Sequence, residues 1–140
     1  CRTVLPGMVA RKGGRIVNII SEAGRIGEAN MAVYSGAKAA IAGFGKALAR
    51  EHGRHAITVN SIALGAVSHA GIKDGPLRVD ATVENDERLP KMLNVYPIAK
   101  GVGRLSRPED VSGVVAFLAS DRALFVTGQT LGASGGFAML

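Results

Sequence analysis

The sequence predicts an α/β fold built on a parallel sheet, and three observations carry that expectation. Two β-branched apolar runs, Arg15-Ile16-Val17-Asn18-Ile19-Ile20-Ser21 and Ile57-Thr58-Val59-Asn60-Ser61-Ile62-Ala63, have the composition of strands covered on both faces. A Pro-free stretch from Ala32 to Gly53 lies between them and has the length of a crossover helix. Strand, long helix and strand in that order form a right-handed crossover unit, whose strands run parallel.

The chain opens within a helix. Val4, Leu5, Met8 and Val9 supply its apolar side, Arg11 and Lys12 a basic last turn, and Gly13-Gly14 a C-cap. A helix with an end but no start, and Cys1 where a Met would stand, suggest the later part of a longer sequence. In the long helix, Ala37, Ile41, Phe44 and Leu48 are spaced as the core-facing stripe. Gly36, Ala40, Gly43 and Ala47 form a second stripe of small residues about a quarter-turn away, which admits a close neighbour. From Gly65 to Gly103 the composition turns to mixed charge with Gly75-Pro76, Pro90 and Pro97, and one short helix is expected from Glu84 to Val95. A segment of that length inside a domain reads as a lid or binding loop. Ser106-Arg107-Pro108-Glu109 predicts a capping box with Pro in the first turn. The helix it opens carries Val111, Val114, Val115 and Leu118 at helical spacing, and Val126 to Ala133 supplies the third strand.

Composition narrows the function classes. With 140 residues, 47% of them apolar, the chain has the size of one domain with a real core, which excludes a disordered linker. The single cysteine excludes a disulfide framework, so a cytoplasmic location is the default expectation. No apolar run approaches the length of a membrane span. The net charge of +6 is scattered and aromatic residues make up only 4%, so no nucleic-acid partner is expected. No metal site is expected either: His52 and His55 sit three apart with no Cys or carboxylate cluster to join them. Gly132-Ala133-Ser134-Gly135-Gly136 has the form of a hydrolase nucleophile elbow, but only four residues follow Gly136 and no acid and His can come after it.

Chemistry gathers around Tyr34 and Lys38. Four residues apart on the long helix, they stand one turn apart on one face. A phenol titrates near 10, too high for a base at neutral pH, and an adjacent cation lowers that by roughly 1 to 3 units. Taken alone, the pair is equally a half-buried Tyr beside a solvated Lys. Ser21 adds weight, because it ends the first strand, and open α/β sheets bind ligands outside the carboxyl ends of their strands. By itself, Ser21 is equally a turn serine before Glu22-Ala23-Gly24.

In this order, GRIVNIISEAG, YSGAK, ITVNSIALG, GRLSRPEDV and TGQTL resemble the second half of the short-chain dehydrogenase/reductase family over essentially the entire chain. The resemblance implies a Rossmann-like doubly wound parallel sheet, of which residues 1–140 form the C-terminal half, with about three strands, crossover helices and a substrate loop at 65–103. It implies hydride transfer between NAD or NADP and a ketone, aldehyde or alcohol. Ser21 would orient the substrate oxygen, Tyr34 would act as acid or base, and Lys38 would hold the nicotinamide ribose. The family's nicotinamide turn falls on Leu64-Gly65-Ala66-Val67-Ser68-His69, which gives Gly65, Val67, Ser68 and His69 as cofactor-binding residues. Leu64 stands where the family has Pro, His69 where it has Thr, and Ser134 where it has Asp before Gly-Gly. A homodimer or homotetramer joined through the tyrosine-bearing helix is implied, and the family's relay asparagine would lie before Cys1.

The rival expectation is a non-catalytic half-domain that serves as an interaction or oligomerisation module. It rests on the lack of a Gly-rich turn for a pyrophosphate, since Gly24-Arg25-Ile26-Gly27 is too short and follows the wrong strand. Within the lid, Lys73, Arg78, Arg88, Lys91 and Lys100 balance Asp74, Asp80, Glu84, Asp86 and Glu87, which predicts no net preference for an anionic substrate.

Overall fold

The two β-branched runs pair as parallel strands. In a computed structural model describing residues 1–140, β1 (Gly14–Ser21) lies beside β2 (Ile57–Leu64), from Gly14 opposite Ile57 to Ser21 opposite Leu64. β3 (Thr130–Ala133) joins the other side of β2, also parallel, so the order is β1-β2-β3. This third strand is shorter than the apolar run starting at Val126 predicts. Residues 126–129 still follow β2, but side chains take over the pairing. The Asn60 amide donates to the Val126 carbonyl at 2.8 Å and its oxygen accepts from the Gln129 amide at 3.0 Å, while the Val59 amide donates to Thr127 Oγ1 at 3.1 Å.

Helices cover both faces. α1 (Leu5–Ala10) and α3 (Ala32–His52) share one: Leu48 and Ala49 close over Ile57 and Val59, with Leu5, Met8, Val9 and Ile16 around them. α6 (Pro108–Ala119) covers the other, where Val111 and Leu118 pack on Ile62 and Ala123. A third cluster of Leu89, Leu93, Ala99 and Leu105 holds the 65–103 segment together.

Four local expectations are corrected. α3 has the expected limits, but Ala37 and Phe44 are exposed, and the buried line runs through Gly45, Leu48 and Ala49. The cause is Gly45: a Cβ there would lie 3.2 Å from Asn18 Nδ2, so the helix makes its close approach to the sheet at that bare position. Phe44, one residue and about 100° away, is turned outward. Gly36, Ala40, Gly43 and Ala47 are exposed too, and a Cβ at Gly36 or Gly43 would meet nothing. At the end of α1, the left-handed residue is Lys12 (φ 53), while Gly14 already belongs to β1; a Cβ on Gly14 would lie 2.6 Å from Met8 Sδ. Gly14 therefore serves packing and not capping.

The single helix expected over Glu84–Val95 is instead two short ones, α4 (Leu89–Val95) and α5 (Pro97–Val102), divided where Tyr96 precedes a proline. The α6 cap is shifted by one residue. Arg107 is the N-cap, and Asp110, not Glu109, reaches back to accept its backbone N–H at 2.8 Å. An arginine side chain has no acceptor, so only that arm of the box forms.

The Arg104 guanidinium on Asp110 (2.6 and 3.0 Å), and then the Arg107 N–H, pull this carboxyl from 3.8 down to about 2. A depressed carboxyl contributes stability that is complete above its ordinary titration range and is lost as pH falls through the folded value. Asp110→Asn is therefore expected to lower Tm by about 2–4 °C at neutral pH. The difference from wild type should shrink between pH 4 and 2, as thermal melts across that window would show.

Candidate active site

Three elements meet at the carboxyl ends of β1 and β2. Ser21 is the last residue of β1 and is half-buried. Its Oγ accepts the Ala23 N–H at 3.2 Å, which leaves the hydroxyl hydrogen free to point outward. The Glu22 N–H then donates to the Leu64 carbonyl at 3.0 Å, carrying the β1–β2 pairing one residue past Ser21. A single turn, α2 (Ala23–Ile26), ends at Gly27 with φ 73.

α2 is seated on α3 backbone to backbone. A Cβ on Gly24 would lie 2.8 Å from the Lys38 carbonyl carbon and 2.8 Å from the Ala39 nitrogen, so only glycine permits this contact. Gly24→Ala is expected to destabilise the fold by about 1–3 kcal/mol, read from urea unfolding, because backbone cannot step aside as a flexible side chain can.

α3 then delivers Tyr34 and Lys38. The Lys38 Nζ lies 5.7 Å from the centre of the Tyr34 ring and donates to the Ile19 carbonyl at 3.2 Å. One ammonium thus ties the phenol-bearing turn to β1, two residues before Ser21. Tyr34 itself is 42% exposed, open to a ligand from outside.

The exit from β2 is more divided. Gly65 follows β2, and Val67 pairs with Ser106 in a parallel bridge. Ser68 is buried: its N–H donates to the Ser106 carbonyl at 2.8 Å, and its side chain lies among Pro76, Leu89 and Leu105 under the lid. His69 is exposed and its Nδ1 accepts the Gly71 N–H at 3.1 Å, so the neutral ring carries its proton on Nε2. Ser68 and His69 therefore face different surroundings, and the structure does not group Ser68 with the Tyr34–Lys38 pair.

Two features escaped sequence reasoning. Tyr96 lies against the turn: a Cβ on Gly65 would sit 2.7 Å from Tyr96 Cε1 and 3.2 Å from the backbone of Ser134. Burial pushes the Tyr96 phenol up; the Ala66 amide works against this and the Glu28 carboxylate adds to it. Its ring also packs on Phe137, with centroids 5.0 Å apart. The available signal was an aromatic residue directly before Pro97 in a chain with only two tyrosines. The second feature is an ion pair beneath Ser21. Both Glu22 oxygens accept from Arg25 Nη1, at 3.2 and 3.1 Å, and Arg25 Nη2 donates to the Leu140 carbonyl at 3.1 Å. Glu22 is fully buried, and Gly132 of β3 must be bare because a Cβ there would lie 2.7 Å from Glu22 Oε1.

These residues suit one end of a dinucleotide. Lys38, the exposed Tyr34 and the bare Gly65 fit a nicotinamide and its ribose. The phosphate end has no seat here: α2 has only four residues, and its N-cap is the anionic Glu22. No helix is long and apolar enough to cross a membrane.

Comparison with known proteins agrees with this geometry. The family described as Enoyl-(Acyl carrier protein) reductase matches residues 1–138. The chain is 41% identical to the 3-oxoacyl-[acyl-carrier-protein] reductase FabG of Pseudomonas aeruginosa over 99% of its own length and 51% of the relative's. It is also 41% identical to the acetoacetyl-CoA reductase of Shinella zoogloeoides, over 95% of this chain and 50% of that one. The crystal structure of a 3-oxoacyl-[acyl-carrier protein] reductase with bound NAD from Brucella melitensis superposes with a TM-score of 0.79 at 33% identity, covering 99% of this chain and 46% of that one. The chain spans about half the length of the curated relatives it matches. With its parallel Rossmann-like sheet and a match running nearly end to end, the chain belongs to the short-chain dehydrogenase/reductase family of oxidoreductases.

Proposed function

We propose that the full-length protein is an NAD(P)-dependent reductase that interconverts a 3-oxoacyl thioester and its 3-hydroxy form, with Ser21, Tyr34 and Lys38 as catalytic residues. The observation that carries this reading is the placement of Lys38 Nζ, 5.7 Å from the Tyr34 ring centre and 3.2 Å from the carbonyl of Ile19. The substrate class is supported by the relatives, several of which act on 3-oxoacyl carriers. Nothing observed favours a non-catalytic interaction module.

In reduction, the Tyr34 hydroxyl donates its proton to the carbonyl oxygen as that oxygen gains charge. Ser21 donates a second hydrogen bond to the same oxygen, its own acceptor side being already engaged by Ala23. The Lys38 cation favours the negative charge left on the phenol and contacts the ribose through its remaining donors. A bound nicotinamide would supply the hydride. The turn at Gly65 and Val67 would hold the carboxamide, and of the two polar candidates beyond it His69 is the better placed, because its Nε2–H is free while Ser68 is buried. Residues 65–103, carrying α4 and α5, act as the substrate lid. The exposed small-residue line on α3 supports a homodimer or homotetramer, and the single free cysteine, Cys1, supports a cytoplasmic setting.

The direct test is an assay of the full-length protein with acetoacetyl-CoA and NADPH or NADH. Oxidation of the cofactor with matching formation of 3-hydroxybutyryl-CoA is the expected result. No turnover of any 3-oxoacyl thioester with either cofactor would overturn the assignment.

A further inference from the structure

Protein interiors are packed to crystal density and hold few voids larger than a water molecule. Between α5, α6 and the end of β3 this chain nevertheless encloses a cavity of about 350 Å³, in the range of small-ligand pockets. Its walls are Ile98, Ala99 and Val102 of α5, Val111 and Val114 of α6, and Ala133. Arg104 and Asp110 stand at the cavity too, but their 2.6 Å and 3.0 Å bonds spend the charge of each on the other. A ligand here meets hydrocarbon and no free ion.

The lid makes the vacancy more specific. Ile98 and Val102, four apart on α5, line the cavity and yet are 63% and 59% exposed. Packing within the chain gives no reason for apolar side chains at those positions, whereas an apolar occupant would cover both. The cavity also adjoins the candidate active site, because Ala66 and Tyr96 belong to its lining and to the turn after β2.

We propose that this cavity receives the hydrocarbon tail of the substrate, so that the enzyme favours medium-chain 3-oxoacyl thioesters over acetoacetyl ones, with Tyr96 at the passage between the reacting carbonyl and the tail. The inference rests on the 3-oxoacyl reading above. Each methylene moved from water into such walls is worth about a factor of four in affinity. For the full-length protein, kcat/KM should climb by about that factor per added methylene across a series of 3-oxoacyl-CoA substrates and then level off once the cavity is filled. Unreactive saturated acyl-CoA esters, titrated calorimetrically, should show the same ladder in Kd.

Val114→Phe fills the cavity from α6, and Ile98→Asp places a charge in its wall at an exposed position where folding is not at stake. Both should reduce the ratio of medium-chain to short-chain kcat/KM by tenfold or more. A wild-type ratio near one with acetoacetyl-CoA still reduced overturns the cavity assignment alone, as does a ratio unmoved by folded Ile98→Asp. No turnover at any length overturns the thioester reading and this inference together.

Discussion

Tyr34→Phe is expected to slow ketone reduction by about 10²–10⁴-fold in the full-length protein, the span typical of a lost general acid. The substitution removes one oxygen and little else. Tyr34 is in the first turn of α3 with much of its surface in solvent, so no buried partner is orphaned. The ring survives, and with it the contact to the Lys38 ammonium, which is an attraction to the aromatic face and does not need the hydroxyl. Thermal melting should therefore stay close to wild type while turnover collapses. Steady-state kinetics and a melt on the same preparation make the check. Turnover within tenfold of wild type would remove the phenol from its role as acid.

Arg25→Met should have the largest effect on stability, about 3–5 kcal/mol, because it strands the Glu22 carboxylate in the interior. That is a substantial share of the 5–15 kcal/mol by which a domain usually exceeds its unfolded state. Glu22 is without solvent contact, and Arg25 Nη1 bonds both of its oxygens. Glu22→Gln in the Arg25 background leaves the guanidinium an amide oxygen to bond, so its cost should be smaller. The double variant Glu22→Leu, Arg25→Met should recover most of the loss, since an apolar pair of similar volume avoids burying charge. Urea unfolding of the four proteins tests this ordering, and a mild Arg25→Met effect would show that the pair is not stabilising the strand end that carries Ser21.

What the sequence made legible follows from what one-dimensional patterns record. β1 and β2 were readable because a central parallel strand is apolar along its entire length, and α3 because twenty-one residues without proline leave little alternative. The inward side of α3 was misjudged because an apolar tally ranks Phe44 above Gly45, whereas the sheet is approached where a side chain is missing. α4 and α5 are too short to establish a period, and Tyr96 between them acts through Gly65 and Phe137, neither of them near it in sequence. Glu22 and Arg25 look like solvated turn residues, and only β3 and the last residue, folded over them, make them interior. Ser21, Tyr34 and Lys38 were found because motif order carried information that burial did not.

α3 has two sides with different duties. One side carries the phenol and the ammonium and is pinned at Lys38 by the bare Gly24; the other offers solvent a strip with no side chains at Gly36 and Gly43. A helix of twenty-one residues behaves as a stiff rod, so whatever leans on the outer strip also sets the tilt of the inner one. Any body that settles there, a second copy included, takes hold of the same lever that aims Tyr34, and the alignment of the reacting groups becomes a property of the assembly as much as of the chain.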